Sequence, residues 1–290
     1  MSASRSDNHH PVEGSSERRR RSSWPLIVLA ALFIILPFLT WYGTWFGRHL
    51  SDAEIDEYLA DTSKPRRIQH ALSQVEERMA RGDASARRWY PQLVALTASP
   101  VSELRKTAAY LMGYDNQAEE FHGALLRLLA DSQPSVRRQA ALSLVKFQDG
   151  RALPELRAML TDYDVTAPLA GTMESVLSEG SVVREGTLMA RIAQPGGASE
   201  EVRSPLPGKI KSVAVKEGSK VSAGDTLFRI SPDSQFVWEA LRALYLVGER
   251  EDLPAVERYA SGAEPVSEQV KQQAAQTARA IRSRLGEAKD

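Results

Sequence analysis

Apolar residues recur at helical spacing from Ser51 to Leu160. In RRIQHALSQVEERMARG, Ile68, Leu72, Val75 and Met79 fall on one stripe. Pro65 suits the first turn of that helix and Gly82 the cap after its last. Further amphipathic segments are predicted at 84–98, 102–112, 117–130, 134–147 and 152–160, joined by short links of Asp, Ser, Pro and Gly. Many short helices on short links predict a helix-pair solenoid or a bundle, and internal repetition favours the solenoid. The period changes at Tyr163, where apolar and polar residues begin to alternate around glycines as in strands. Helical spacing returns at Asp233 and ends with segments at 252–260 and 266–285. One further stretch stands apart: Leu26 to Phe46, LIVLAALFIILPFLTWYGTWF, carries no charge.

The helical part repeats. LRKTAAYLM at 104–112 matches VRRQAALSL at 136–144, a period of about 32 residues. The stretch ALLRLLADSQPSVRRQAALSLVKFQDGRALPELRAML resembles HEAT repeats. In that family a first helix ends in an Asp turn, and a second opens Val-Arg and presents an Ala-Ala-x-x-Leu face. The residues that carry the resemblance are Asp131, Val136, Arg137, Ala140, Ala141 and Leu144. The likeness implies that small alanines let helices pack closely and that Asp and Arg tie adjacent turns. DSQFVWEALRALYLV (233–247) lies over DSQPSVRRQAALSLV (131–145), and LPAV (253–256) echoes LPEL (153–156). Upstream, MLTD (159–162) echoes LLAD (128–131). The expected organisation is therefore HEAT-like repeats over 51–162, a second domain over 163–232 inserted in the turn of one repeat, and repeats resumed over 233–287. Glu239 takes the place of Arg137 in the resumed copy.

Residues 163–232 contain one pattern twice, VTAPLAGTMESVLSEGSVVREGTLMARI (165–192) and VRSPLPGKIKSVAVKEGSKVSAGDTLFRI (202–230). Pro168 and Pro205 open the copies, and Gly171, Gly180 and Gly186 are matched by Gly208, Gly218 and Gly224. Turn glycines supply positive φ at little steric cost. Two such halves resemble the biotinyl/lipoyl family, which implies a flattened all-β barrel of two interlocking four-stranded sheets. Members that carry biotin or lipoate present a lysine on the hairpin between the halves. Here the joint, AQPGGASEE from Ala193 to Glu201, has none, and Lys209 and Lys211 lie beyond it. A carrier role is disfavoured, and no cofactor is expected. The topology is also similar to membrane-fusion (periplasmic adaptor) proteins, although those insert a helical hairpin where this chain has nine residues.

The charge-free stretch predicts an anchor. Its 21 residues reach about 31 Å as a helix, the thickness of a bilayer core. Trp24 would mark one interface, and Trp41, Tyr42 and Trp45 the other. A buried core helix rarely runs so long without charge, and a cleaved signal would end in small residues rather than aromatics. Arg18, Arg19, Arg20 and Arg21 precede the stretch, while Asp52, Glu54, Asp56 and Glu57 follow it. The positive-inside rule then leaves a cytoplasmic tail over 1–23, a transmembrane helix over 24–46 and extracytoplasmic domains beyond, in a bacterial inner membrane.

Composition removes much chemistry. There is no cysteine, so disulfides, thiolate metal sites and cysteine nucleophiles are excluded. Formal net charge is zero, which gives no pointer to nucleic acid. His9, His10 and His49 lie in or near the tail and anchor, and His70 and His122 stand singly on helices. No phosphate loop, His-Glu-x-x-His motif or nucleophile elbow occurs. Asp162 and Asp164 in TDYD lack the rest of a calcium loop, and Lys209, Lys211, Lys216 and Lys220 alternate like a solvated strand face. The chain is expected to be a non-enzymatic scaffold that docks, through its helical array and β domain, onto a membrane protein complex such as a transporter or electron-transfer assembly. The alternatives are an export-pump adaptor and, against the missing lysine, a carrier.

Overall fold

The computed structural model describes residues 24–45 and 48–286, with the side chains of Trp24 and of residues 27–39 in the first of these spans. Helix α1, Trp24–Trp45, contains Pro37 and belongs to a unit of its own that ends at His49. Among the described residues no helix is long and apolar enough to cross a membrane. This corrects the expected transmembrane anchor and with it the single-pass inner-membrane location. Arg18, Arg19, Arg20 and Arg21 lie outside the described residues, as do the side chains of Trp41, Tyr42 and Trp45; Trp24 is exposed.

The second unit, from Leu50 onward, contains five helix pairs among the described residues. They are α2 (Asp52–Ala60) with α3 (Pro65–Ala80), and α4 (Tyr90–Leu96) with α5 (Ser102–Met112). Next come α6 (Glu119–Leu128) with α7 (Pro134–Leu144), and α8 (Leu153–Ala158) with α9 (Ser234–Val247). The last pair is α10 (Leu253–Ala260) with α11 (Glu268–Arg284). Local chemistry sets their ends. Ser51 and Glu54 form a capping box at α2, where Ser51 Oγ accepts from Glu54 N–H and the Glu54 carboxylate accepts from Ser51 N–H at 2.9 Å. Helix α3 starts at Pro65 and ends before Gly82 at φ +71°, and its stripe of Ile68, Ala71, Leu72, Val75 and Met79 is buried. Trp89 is fully buried, its indole N–H donating to Asp56 at 2.7 Å. The second helices of successive pairs pack on one another, α3 on α5, α5 on α7, α7 on α9 and α9 on α11. Ala140 and Ala141 have no exposed surface, and Ser143 Oγ donates to the Ala109 carbonyl at 2.7 Å across that contact. Thr277 does the same to Leu241 at 2.8 Å between α9 and α11. One hydrophobic core runs through all five pairs, drawing residues from both sides of the intervening β segment.

Between α8 and α9 the chain forms β1 (Tyr163–Thr166), β2 (Gly171–Val176), β3 (Val182–Val183), β4 (Leu188–Ala193), β5 (Ser199–Arg203), β6 (Gly208–Val213), β7 (Lys220–Val221) and β8 (Thr226–Pro232). They make two antiparallel four-stranded sheets, ordered β1-β8-β6-β3 and β5-β4-β2-β7. Advancing every strand of the first sheet by four around the eight yields the second, so the sequence duplication is a pseudo-twofold relation between the sheets. A second core, with Met173, Ile192, Ile210, Leu227 and Phe228, lies within this β unit. The expected lipoyl-like flattened barrel is corrected here. A barrel needs every strand paired on both sides. These sheets are separate ladders, each ending at a two-residue strand, β3 or β7, too short to carry pairing further. The fold is thus a paired-helix array with two open antiparallel sheets.

Candidate functional site

Turn chemistry orders the array. Arg105 on α5 donates from Nε and Nη2 to the two Asp131 oxygens at 2.6 and 2.8 Å, and from Nη1 to the Ser99 carbonyl at 2.8 Å. The guanidinium of Arg105 holds the Asp131 carboxyl below its ordinary range. One repeat on, Arg137 makes the backbone half of the same grip, donating to the Asp131 carbonyl at 2.8 Å, and meets Glu155 of α8 at 3.3 Å. The residue at the place of Asp131 in that next step is Asp162, and it is bonded instead to Lys211 of β6 at 2.7 Å. The ladder of turn ion pairs is diverted into the β unit at the point where the strands leave the array. Asp164 pairs with Arg229 at 2.7 Å, so both acidic residues of TDYD are engaged. Among the described residues no cluster of acidic and histidine side chains is placed to hold a metal.

A second set of bonds fastens the β unit to the helices. Glu185, in the turn between β3 and β4, accepts from Lys106 Nζ of α5 and from Ser135 Oγ of α7, both at 2.7 Å. Burial opposes the Lys106 charge, but the Glu185 and Glu103 carboxylates outweigh it and raise the ammonium. Gly186 N–H donates to the Ser204 carbonyl at 2.7 Å, which brings the Pro205 turn alongside. Leu206 in that turn is buried although it belongs to neither hydrophobic core. The pseudo-twofold partner of this end is built by the same backbone bonds, Gly224 N–H to the Ala167 carbonyl at 2.8 Å, but carries Ala223 in place of Glu185 and leaves Pro168 exposed. Only one end is therefore fastened through Glu185. Glu185→Ala is expected to cost about 1.5 kcal/mol, read as a lower denaturation midpoint and faster amide exchange at Ser135, with Glu185→Gln losing less.

The third feature is a concave surface on α5, α7, α9 and α11. Three cavities adjoin there. One of about 450 Å³ is lined by Tyr110, Tyr114, Leu142, Lys146, Arg242 and Leu246. One of about 600 Å³ is lined by Arg242, Tyr245, Leu246, Gln273 and Arg279. One of about 680 Å³ is lined by Lys146, Gln148, Leu246, Glu249 and Arg284. Leu246, 58% exposed, is common to all three, and Tyr110 and Tyr245 are exposed beside it. Arg242 stacks over Trp238 at 4.7 Å, and Tyr110 and Tyr114 share a 2.8 Å hydroxyl bond. That bond, with burial and Glu76 nearby, pushes the Tyr110 phenol up. Tyrosine and arginine, which surround this exposed leucine, are residue types that dominate binding energy at protein interfaces.

The residues singled out from the sequence fall into structural places. Val136, Ala140, Ala141 and Leu144 are buried on α7. Gly180, Gly186, Gly218 and Gly224 have φ between +80° and +89°, and Gly171 and Gly208 sit where a strand crosses a neighbouring backbone. None of them lines the concave surface. Its residues went unmarked because exposure of a helix face is decided by which neighbours pack on it. Arg105 did leave a signal, since the 104–112 and 136–144 match sets it under Arg137.

Residues 90–170 match the HEAT-repeat family. The matched HEAT segment begins at α4, contains α5 to α8 and extends to the start of the strands, and it points to a protein-interaction scaffold. Among solved structures, the chain is similar at 19% identity to a single-chain, multi-domain long-chain acyl-CoA carboxylase, over 45% of this chain and 14% of that one, with a TM-score of 0.24. The chain thus spans about one seventh of that protein, and at this level neither fold nor activity transfers.

Proposed function

We propose that the chain is a non-enzymatic scaffold whose HEAT helices bind a protein partner on the concave face of α5, α7, α9 and α11, with the β unit as a second contact surface. The observation that supports this is Leu246, exposed where three cavities meet and ringed by Tyr110, Tyr245 and Arg242. A folded protein leaves such a patch open when another surface covers it. The β unit is held to the array by its two chain connections, α8 to β1 and β8 to α9, and by Glu185, which suits a rigid platform. A transporter or electron-transfer assembly is the partner class to seek first. Affinity purification of the full chain followed by mass spectrometry, with wild type beside Leu246→Glu, tests the proposal. A stoichiometric partner present with wild type and reduced at least tenfold with the variant is the expected result. A wild-type chain that runs alone, or a partner indifferent to Leu246→Glu, would sink it.

A further inference from the structure

The cations of the concave face are left over by the protein itself. Among the described residues Lys146, Arg242 and Arg279 have no carboxylate partner; Arg242 is occupied only by the Trp238 ring. Two carboxylates line the same cavities, and neither pairs with these three cations. Glu239 accepts from the Gln235 amide at 3.2 Å, and Glu249 faces Arg157 at 3.7 Å and caps the turn at Asp252. Arg284 is spent on the carbonyls of Leu244, Tyr245 and Gly248, which fixes the end of α9 and adds positive potential there. Ion pairs close turns elsewhere in the array, at Arg105–Asp131 and at Arg157–Asp252. A patch of unpaired cations around an apolar centre is the complement of a segment that offers carboxylates and apolar side chains together.

We infer that the concave face takes an acidic amphipathic segment of a partner protein, its apolar side chains on Leu142, Tyr245 and Leu246 and its carboxylates on Lys146, Arg242 and Arg279. This rests on the scaffold reading and deepens it. The apolar centre and the zero formal net charge of the chain favour a peptide over nucleic acid, which needs a basic stripe without leucine at its middle.

The test uses the full chain and three fluorescein-labelled 16-residue peptides built from Glu-Glu-Leu-Phe, Gln-Gln-Leu-Phe and Lys-Lys-Leu-Phe repeats, with an oligothymidine as a fourth probe. Fluorescence anisotropy is read at low and at high salt. The glutamate peptide is expected to bind at least about tenfold tighter than the glutamine peptide, with the lysine peptide weakest and the preference shrinking as salt rises. Arg242→Glu with Arg279→Glu is expected to remove that preference while Leu246→Glu weakens both binding peptides; circular dichroism checks that these surface variants fold. Equal binding of the glutamate and glutamine peptides, binding of none, or a preference that survives the arginine changes overturns the inference. So does oligothymidine bound more tightly than any peptide. A natural partner lost from Leu246→Glu but kept by the arginine variants would leave the scaffold standing and the acidic segment refuted.

Discussion

Gly208→Ala is expected to destabilise the β unit by about 3 kcal/mol or more, although alanine adds a single methyl group. A Cβ at Gly208 would lie 2.2 Å from the Ser231 carbonyl oxygen and 2.6 Å from Ile230 Cγ2. The first of these is backbone, fixed by the β6–β8 ladder that pairs Gly208 with Pro232 and Lys209 with Ser231. Relief would require the two strands to part, and β8 leads directly into α9. The pseudo-twofold position repeats the geometry: a Cβ at Gly171 would meet the Ala193 oxygen at 2.3 Å and Ile192 Cγ2 at 2.5 Å. Gly171→Ala should therefore cost a similar amount through β2 and β4. Gly123 on α6 is the control, since only Arg127 Nη1, at 3.7 Å, lies near its added carbon. There alanine should be neutral or stabilise by up to about 1 kcal/mol through helix propensity. Urea denaturation of the three variants, with hydrogen exchange resolved to the strands, separates the cases. Comparable stability for Gly208→Ala and Gly123→Ala would show that the strands yield more readily than their ladder implies.

Those glycines show what the chain makes legible. Their paired spacing, with Pro168 and Pro205 ahead of each set, announced a duplicated β unit, because glycine needs no packing partner to be required at a positive φ or a close crossing. The stripe Ile68, Leu72, Val75, Met79 announced α3 for a similar reason: a helix is a local object with a local period. Closure of the strands into a barrel was not legible. It depends on which edges pair across the unit, and β3 and β7 are too short to do so. The run from Leu26 to Phe46 announced a helix by its lack of charge, and α1 is there, but apolar composition alone overstated it as a span. Tyr110, Lys146, Arg242 and Leu246 come from separate helices and meet only when α5, α7 and α9 stack. A surface assembled from distant segments has no motif, so the concave face emerged from packing alone.

The strongest test of the array's own logic is the Arg105–Asp131 pair. Both side chains are largely buried, and Asp131 also accepts from Gln133 N–H at 2.8 Å, so its charge is committed in the folded state. Removing Arg105 leaves a buried carboxylate without its counter-ion, and Arg105→Ala should cost about 3 kcal/mol. Asp131→Asn should cost less, because asparagine keeps an acceptor for Gln133 and for one guanidinium nitrogen. The two variants should not add: with Arg105 gone, Asp131→Asn becomes neutral or restores stability, since it removes the orphaned charge. The pH dependence carries a sign. Arg105 depresses the Asp131 carboxyl in the folded protein, so its contribution is complete above the unfolded carboxylate value near about 4 and is lost as pH falls through the lower folded value. Wild type should thus lose this share of stability only on acidification below about pH 4, and Asp131→Asn should show a shallower acid slope. Denaturation midpoints across pH 2 to 7 for wild type, both single variants and the double variant decide the matter. Additive losses, or an acid slope unchanged by Asp131→Asn, would mean that the pair is an ornament of the turn and that packing of Ala140, Ala141 and Leu144 alone sets the spacing between repeats. A coupled loss would instead make Asp162 the informative comparison. It stands at the same place one step on and is bonded to Lys211 across the junction with the β unit, so Asp162→Asn should loosen the seat of the strands rather than the repeat.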